Sequence, residues 1–194
     1  MIGVVDYGAG NLGSVKNALR FLGVDFRVSG KPRELSGCSA LVLPGVCSFG
    51  FAMEKIGELG LRDFLREWIS SGRGFLGICV GMQVLLEESE ESPGVEGLGV
   101  LKGKCLRFKA KKVPQVGWNY VESSSFPSGF AYFVNSYYCN PEDLSSAVAK
   151  TDYGIEFTSA LRFKNCFATQ FHLEKSGGYG LSLLKCWLKC SRKE

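Results

Sequence analysis

The chain has 194 residues, 45% hydrophobic and 22% charged, which is enough to bury a full core without disulfides. Its formal net charge of +4 is too small to imply a nucleic-acid partner. The N-terminus reaches Asp6 too soon for a signal peptide, and no apolar run is long enough to cross a bilayer. A soluble, cytoplasmic protein is expected.

Residues 2–6 read as a short buried strand, followed by a glycine turn and a helix over about 14–22. Ala40, Leu41, Val42 and Leu43 form a second apolar run, closed by Pro44 and Gly45. Helical spacing follows over 49–56 and again over 61–69, where Leu61, Phe64, Leu65 and Trp68 make one stripe before Gly72. An apolar strand over 74–78 and a helix over 82–88 complete the first half. This alternation predicts an open, mostly parallel twisted α/β sheet with helices on both faces. From 99 to 170 the chain is richer in β-branched and aromatic residues and is punctuated by Pro114, Pro127 and Pro141. Further strands, some antiparallel, are expected there, then a last helix over about 179–190 with Leu181, Leu184 and Leu188 on one face. No repeat or linker interrupts the pattern, so residues 1–194 read as one domain.

Several features carry no chemistry on this reading. Glu87, Glu88, Glu90 and Glu91 look like the solvated end of the helix over 82–88. Lys102, Lys104, Arg107, Lys109, Lys111 and Lys112 form a basic stretch on a predicted strand. It lacks the aromatic interleaving of a nucleic-acid site, so a solvated or partner-facing edge is expected. Gly8-Ala9-Gly10-Asn11-Leu12-Gly13 spells the dinucleotide fingerprint, but the acid that should close the next strand is missing. Asp25 precedes that strand, which ends on Ser29 and Gly30, so no nicotinamide or flavin cofactor is expected. The eight cysteines include no Cys-x-x-Cys pair, and there is a single histidine, which leaves no sensible zinc grouping. Cys105, Cys139 and Cys166 sit in apolar stretches, as small buried hydrophobes do.

One cysteine differs. Gly77-Ile78-Cys79-Val80-Gly81 follows an apolar strand and precedes a helix, the setting of a nucleophile on a tight strained turn. A helix N-terminus would favour its thiolate, and the Val80 N–H would face an oxyanion. A thiolate nucleophile needs an acid to protonate a leaving amine. His172, the only histidine, ends an apolar run at the expected carboxyl edge of the sheet. Glu174 stands two positions later, and in extended backbone both side chains face the same way. A carboxylate there fixes the imidazole tautomer and stabilises the imidazolium. Cys79, His172 and Glu174 therefore make a complete catalytic set.

With these residues in hand, the sequence resembles the class I glutamine amidotransferases, through Gly77-Ile78-Cys79-Val80-Gly81-Met82-Gln83 and Gln170-Phe171-His172-Leu173-Glu174-Lys175-Ser176. Within that family, the segments Asp6-Tyr7-Gly8-Ala9-Gly10-Asn11-Leu12, Leu43-Pro44-Gly45-Val46 and Pro114-Gln115-Val116-Gly117-Trp118-Asn119 look like the glutaminase subunits of imidazole glycerol phosphate synthases. The resemblance implies a flavodoxin-like fold and hydrolysis of glutamine through a Cys79 thioester, with no cofactor and no metal. It implies an oxyanion hole from the N–H groups of Val46 and Val80, and a substrate site from Gly45, Gln83, Ser136 and Tyr137. Asn11, Trp118, Tyr132 and Lys175 would face a (β/α)8-barrel cyclase that consumes the ammonia in histidine biosynthesis.

The sequence departs from the family pattern in three places. Leu173 replaces the proline of His-Pro-Glu and removes its φ lock. Asn135 stands where histidine is common, and Cys47 where the family has glycine. Two alternatives remain at this point: a glutaminase subunit for another synthase, such as the pyridoxal phosphate system, and a catalytically silent scaffold that only binds a partner.

Overall fold

The computed structural model describes residues 1–110 and 112–191, so the expectation for Lys111 lies outside the described residues. The first half alternates strand and helix: β1 (Ile2–Val5), α1 (Leu12–Phe21), β2 (Phe26–Ser29), α2 (Pro32–Leu35), β3 (Ala40–Gly45), α3 (Phe49–Glu58), α4 (Leu61–Ser70), β4 (Gly74–Cys79) and α5 (Val80–Gln83). The second half is built from β5 (Glu88–Ser89), β6 (Gly103–Arg107), β7 (Gln115–Ser123), β8 (Gly129–Asn135), β9 (Tyr137–Pro141), β10 (Ala147–Asp152), β11 (Glu156–Phe163) and β12 (Cys166–Thr169). Short 3-10 turns cover Leu144–Ser146 and Leu173–Lys175, and α6 (Gly177–Cys190) follows the second.

The strands join in the order β2-β1-β3-β4-β12-β11-β10-β7-β8, with β9, β6 and β5 branching from β11. The run from β2 to β12 is parallel, and from β12 onward the neighbours are antiparallel. The α/β class expected from the sequence is the one observed. Every residue of β1, β3, β4 and β12 is buried, as parallel strands covered on both faces must be. In β7 and β8, by contrast, burial alternates along the strand, and one face of the pair stays open. Because β1, β3, β4 and β12 run the same way, their carboxyl ends meet at one edge. Crevices outside that edge are where open α/β sheets bind ligands.

The apolar run closed by Pro44 and Gly45 is strand as far as Gly45, whose register partner is Cys79. Three local expectations are corrected. The helix expected over 82–88 stops at Gln83. The carbonyls of Val84, Leu85 and Leu86 instead accept N–H groups from Leu98, Gly99, Val100 and Leu101, and a helix cannot continue through occupied acceptors. The acidic run is therefore not a helix end. It lies on β5 and the following turn, where Glu90 accepts from the Arg107 N–H and Glu91 from the Phe49 N–H. Finally, β6 carries exposed Lys104 and Arg107 but is no free edge, since it pairs with β5 and with β9. Helix α6 buries Leu183, Leu184, Trp187 and Leu188, while Leu181 is only half-buried.

Candidate active site

Cys79 ends β4 with φ 56° and ψ −108°, a left-handed backbone that costs a non-glycine residue about 1–3 kcal/mol. The two flanking glycines hold it there. A Cβ on Gly81 would strike the Leu43 carbonyl of β3, and one on Gly77 would strike the Gly81 carbonyl. The turn is so tight that only hydrogens fit between its backbone segments. Since α5 has one turn only, its dipole is smaller than that of the longer helix the sequence suggested.

His172 follows β12, the parallel neighbour of β4, and so reaches the same edge as Cys79. Its Nδ1 lies 2.8 Å from Glu174 Oε1, and both side chains are almost wholly buried, at 1% and 2% exposure. The route differs from the expected one. His172 is extended, but Leu173–Lys175 forms a 3-10 turn, and the carboxylate meets the ring across the start of that turn. What proline would have fixed by its ring is fixed here by packing and hydrogen bonds. Leu173 is fully buried, and its carbonyl is approached so closely by Gly180 of α6 that a Cβ there would collide. The His172 carbonyl accepts from the Lys175 N–H at 3.1 Å and the Ser176 hydroxyl at 2.6 Å.

The remaining ring nitrogen, His172 Nε2, is buried and has no hydrogen-bond partner within the protein. Burial works against a charged imidazole, yet Cys79 and Glu174 outweigh it and raise the His172 pKa to about 10. The imidazolium is thus the favoured form while an anionic sulfur stands beside it.

A cavity of about 240 Å³ opens over the sulfur. Its walls include Val46, Cys79, Val80, Gln83, Ser136 and Tyr137, six of the residues named from the sequence. Gly45 sits beside them at the end of β3, where a Cβ would run into the Tyr7 hydroxyl and, at 2.8 Å, the Val80 Cβ. Asn135 ends β8 buried, its Nδ2 donating to the Tyr137 carbonyl at 3.0 Å. Cys47 is half-buried on the wall, 3.9 Å from the Tyr7 hydroxyl, and burial raises its thiol pKa, which keeps it protonated.

The structure adds three residues to which the sequence reading gave no role. Glu91 is the one carboxylate among the residues lining the cavity, placed by the bond from the Phe49 N–H to its Oε2 at 2.6 Å. Gln170 is fully buried against Cys79 and Gln83. Ser176 joins the base to β8, since its Oγ accepts the Tyr132 N–H at 2.9 Å while donating to the His172 carbonyl. Gln170 and Ser176 belonged to the motif, but only long-range contacts reveal what they do.

The residues expected at a partner surface lie outside this cavity. Trp118 is 57% exposed and packs edge-on to Tyr132 at 6.2 Å, with Lys175 Nζ 5.9 Å from the Tyr132 ring centre. Across the β7–β8 register, Val116, Trp118 and Tyr120 oppose Val134, Tyr132 and Phe130, and together they form an exposed apolar face. Asn11 is half-buried, and its side chain caps α1 by accepting the Ser14 N–H.

The profile of the family described as "Glutamine amidotransferase class-I" matches residues 3–187. The chain belongs to the class-I glutamine amidotransferase family. Among curated relatives, the imidazole glycerol phosphate synthase subunit HisH of Methanothermobacter thermautotrophicus is 48% identical over 99% of this chain and 100% of its own length. The HisH subunit of Bacillus subtilis is 44% identical over 100% of this chain and 98% of its own. Solved structures agree in fold. A glutamine amidotransferase superposes with a TM-score of 0.82 at 23% identity, covering 98% of both chains. PurLQS from Thermotoga maritima superposes at 0.77 and 17% identity, covering 97% of each. Among the described residues, no helix is long and apolar enough to cross a membrane.

Proposed function

We propose that this amidotransferase is the glutaminase subunit of a cytoplasmic imidazole glycerol phosphate synthase, acting as a single domain over residues 1–194. The observation that carries the catalytic part is the buried His172–Glu174 pair, with its second nitrogen free, beside a cysteine on a strained elbow. The Cys79 thiolate attacks the side-chain amide carbon of glutamine. The N–H groups of Val46 and Val80 stabilise the oxyanion, and His172 gives its proton to the departing ammonia, leaving a glutamyl thioester. Acylation removes the sulfur's negative charge, and with it the influence of one of the two neighbours that raise the His172 pKa. The imidazole, neutral after that proton transfer and with its pKa lowered, stays unprotonated and can act as base. It takes a proton from water as the oxygen attacks the thioester and keeps it as the C–S bond breaks. The thiolate–imidazolium pair is thereby restored, while the new carboxylic acid loses its proton to solvent. One residue serves as acid and then as base because its neighbour changes charge between the steps.

Gly45, Gln83, Ser136 and Tyr137 hold the amino-acid end of the substrate, and the Glu91 carboxylate suits its ammonium group. The β7–β8 face receives the partner, a (β/α)8-barrel cyclase that uses the ammonia to make imidazole glycerol phosphate and an aminoimidazole carboxamide ribotide. An exposed face this rich in aromatic residues supports an interface. Its link to the chemistry is direct, because the Tyr132 carbonyl accepts the His172 N–H at 2.9 Å. A glutamine-analogue electrophile followed by peptide mapping tests the reading. Labelling confined to Cys79, among eight cysteines, is the expected result. Labelling at another cysteine, or none, counts against it.

A further inference from the structure

Gln170 stands at the end of β12, fully buried, with its backbone N–H on the Ser159 carbonyl at 2.9 Å. Its side-chain amide is engaged at both ends. Nε2 lies 3.6 Å from Cys79 Sγ, and Oε1 lies 3.1 Å from Gln83 Nε2. Gln83 Nε2 also reaches the Tyr137 carbonyl, at 3.1 Å. That carbonyl fixes the sense of the whole row. A backbone oxygen can only accept, so Gln83 must present its nitrogen; that nitrogen needs an acceptor in Gln170, so Gln170 must turn its own nitrogen to the sulfur. The row thus ends with an N–H aimed at Cys79.

An amide buried in a core is costly unless bonded, and a methionine would fill the same space without that demand. The N–H also has an electrostatic consequence. A donor directed at a sulfur stabilises its anion more than its protonated form. The sulfur also reaches the Val134 carbonyl at 3.8 Å, an acceptor that serves only the protonated thiol. The two contacts favour opposite protonation states.

We propose that Gln170 is a positioning residue for glutamine hydrolysis: oriented by Gln83 and Tyr137, its Nε2–H holds the Cys79 sulfur and favours the thiolate. The proposal rests on Cys79 being the nucleophile. It assigns Gln83 a second task, orienting this amide besides meeting the substrate.

The test is the pH profile of iodoacetamide alkylation at Cys79 in the full chain, followed by peptide mapping, with no glutamine present. In Gln170→Met, which keeps the volume and loses the donor, the midpoint should rise by about one pH unit, so that thiolate at pH values well below the wild-type midpoint falls about tenfold. Gln170→Glu should raise it further, since a carboxylate beside the thiolate repels it. Gln83→Met, which frees the Gln170 amide to turn, should move the midpoint in the same direction by less. In steady state Gln170→Met should lower kcat with little change in the KM for glutamine. A wild-type midpoint that Gln170→Met and Gln170→Glu both leave in place, in proteins with unchanged circular dichroism, would overturn the role of Gln170 alone. A wild-type Cys79 that iodoacetamide does not alkylate at any pH would overturn the nucleophile and this proposal together. Should Gln170→Met fail to fold, Gln83→Met and Gln170→Glu still decide the matter.

Discussion

The segment that carries His172 and Glu174, residues 170–176, is tied down along most of its length, whereas the cavity wall at 45–47 is only lightly held. In the 170–176 segment the Gln170 and His172 N–H groups are bonded to other strands, and the His172 carbonyl accepts twice within its own turn. At the cavity wall the chain leaves the sheet after Gly45. Val46 is 50% exposed, and the polar contact of Cys47 is a hydroxyl–sulfur approach of 3.9 Å. The contrast separates two tasks. Acid–base chemistry needs fixed geometry at all times, while oxyanion stabilisation can be withheld until a partner is present. Free ammonia is mostly protonated near neutral pH and is then no nucleophile, so timed release has a chemical reason.

The largest expected effect removes the nucleophile. Cys79→Ala should cut glutamine-dependent synthesis by about 10⁴-fold or more while synthesis from ammonium salts in the assembled complex persists. Loss of both activities in a complex that still forms would show that the chain does more than release nitrogen.

Next comes the fixed segment itself. Glu174→Gln should lower kcat by roughly 10²–10⁴-fold, because the imidazolium loses its anion and its tautomer control. The chain has one histidine, so a single imidazole resonance reports the cause. His172 should titrate near 10 in the wild type, and lower in both Glu174→Gln and Cys79→Ala. The sign for stability follows. A pKa raised above the ordinary 6.5 gives a contribution that is complete below that pH and is lost as pH rises through about 10. Urea midpoints across that range should therefore fall less in Glu174→Gln. A wild-type resonance titrating near 6.5 would remove the ion pair from the mechanism.

Trp118→Ala addresses the link between partner and cavity. The isolated chain should hydrolyse glutamine poorly and be activated by the substrate-loaded cyclase. Removing an exposed aromatic anchor should weaken that docking by about 30-fold, with unpartnered turnover unchanged. Full activity in the isolated wild-type chain would abolish the distinction between the two segments.

Cys47→Gly probes the lightly held wall and carries the smallest effect. Residue 47 is not among the positive-φ positions, and a Cβ penalises any left-handed state there by about 1–2 kcal/mol. If the Val46 N–H must turn inward for catalysis, glycine at 47 should raise basal turnover about tenfold and shrink the activation ratio. Unchanged basal turnover would place residue 47 outside the switch.

Much of this was legible in the sequence. The apolar runs of β1, β3 and β4 announced buried parallel strands, and the glycines around Cys79 announced a turn that only glycine can build. His172 and Glu174 were legible as a pair, though the 3-10 turn that joins them was not. What stayed hidden depended on contacts distant in the chain. Nothing local to Met82 or Leu86 says that residues 98–101 will take the carbonyls a longer helix needs. Glu91 looked like one more solvated acid until the Phe49 N–H placed it in the cavity wall. Gln170 could be quoted from the motif, but its amide gains meaning only from Gln83, on the helix after β4.

The position of β12 has a consequence for how the protein comes into being. It is late in the chain yet central in the sheet, pairing with β4 on one side and β11 on the other, and its registered partners Phe75 and Cys166 lie nearly half the chain apart. During synthesis the elbow therefore exists long before the base does. A nascent chain that has not reached residue 166 carries Cys79 with no histidine, and also an unpaired apolar flank of β4, open to mispairing. Inserting β12 covers that flank and delivers His172 and Glu174 in the same event. Pairings this distant in sequence form slowly, so the chain should become a glutaminase only at the end of its own folding.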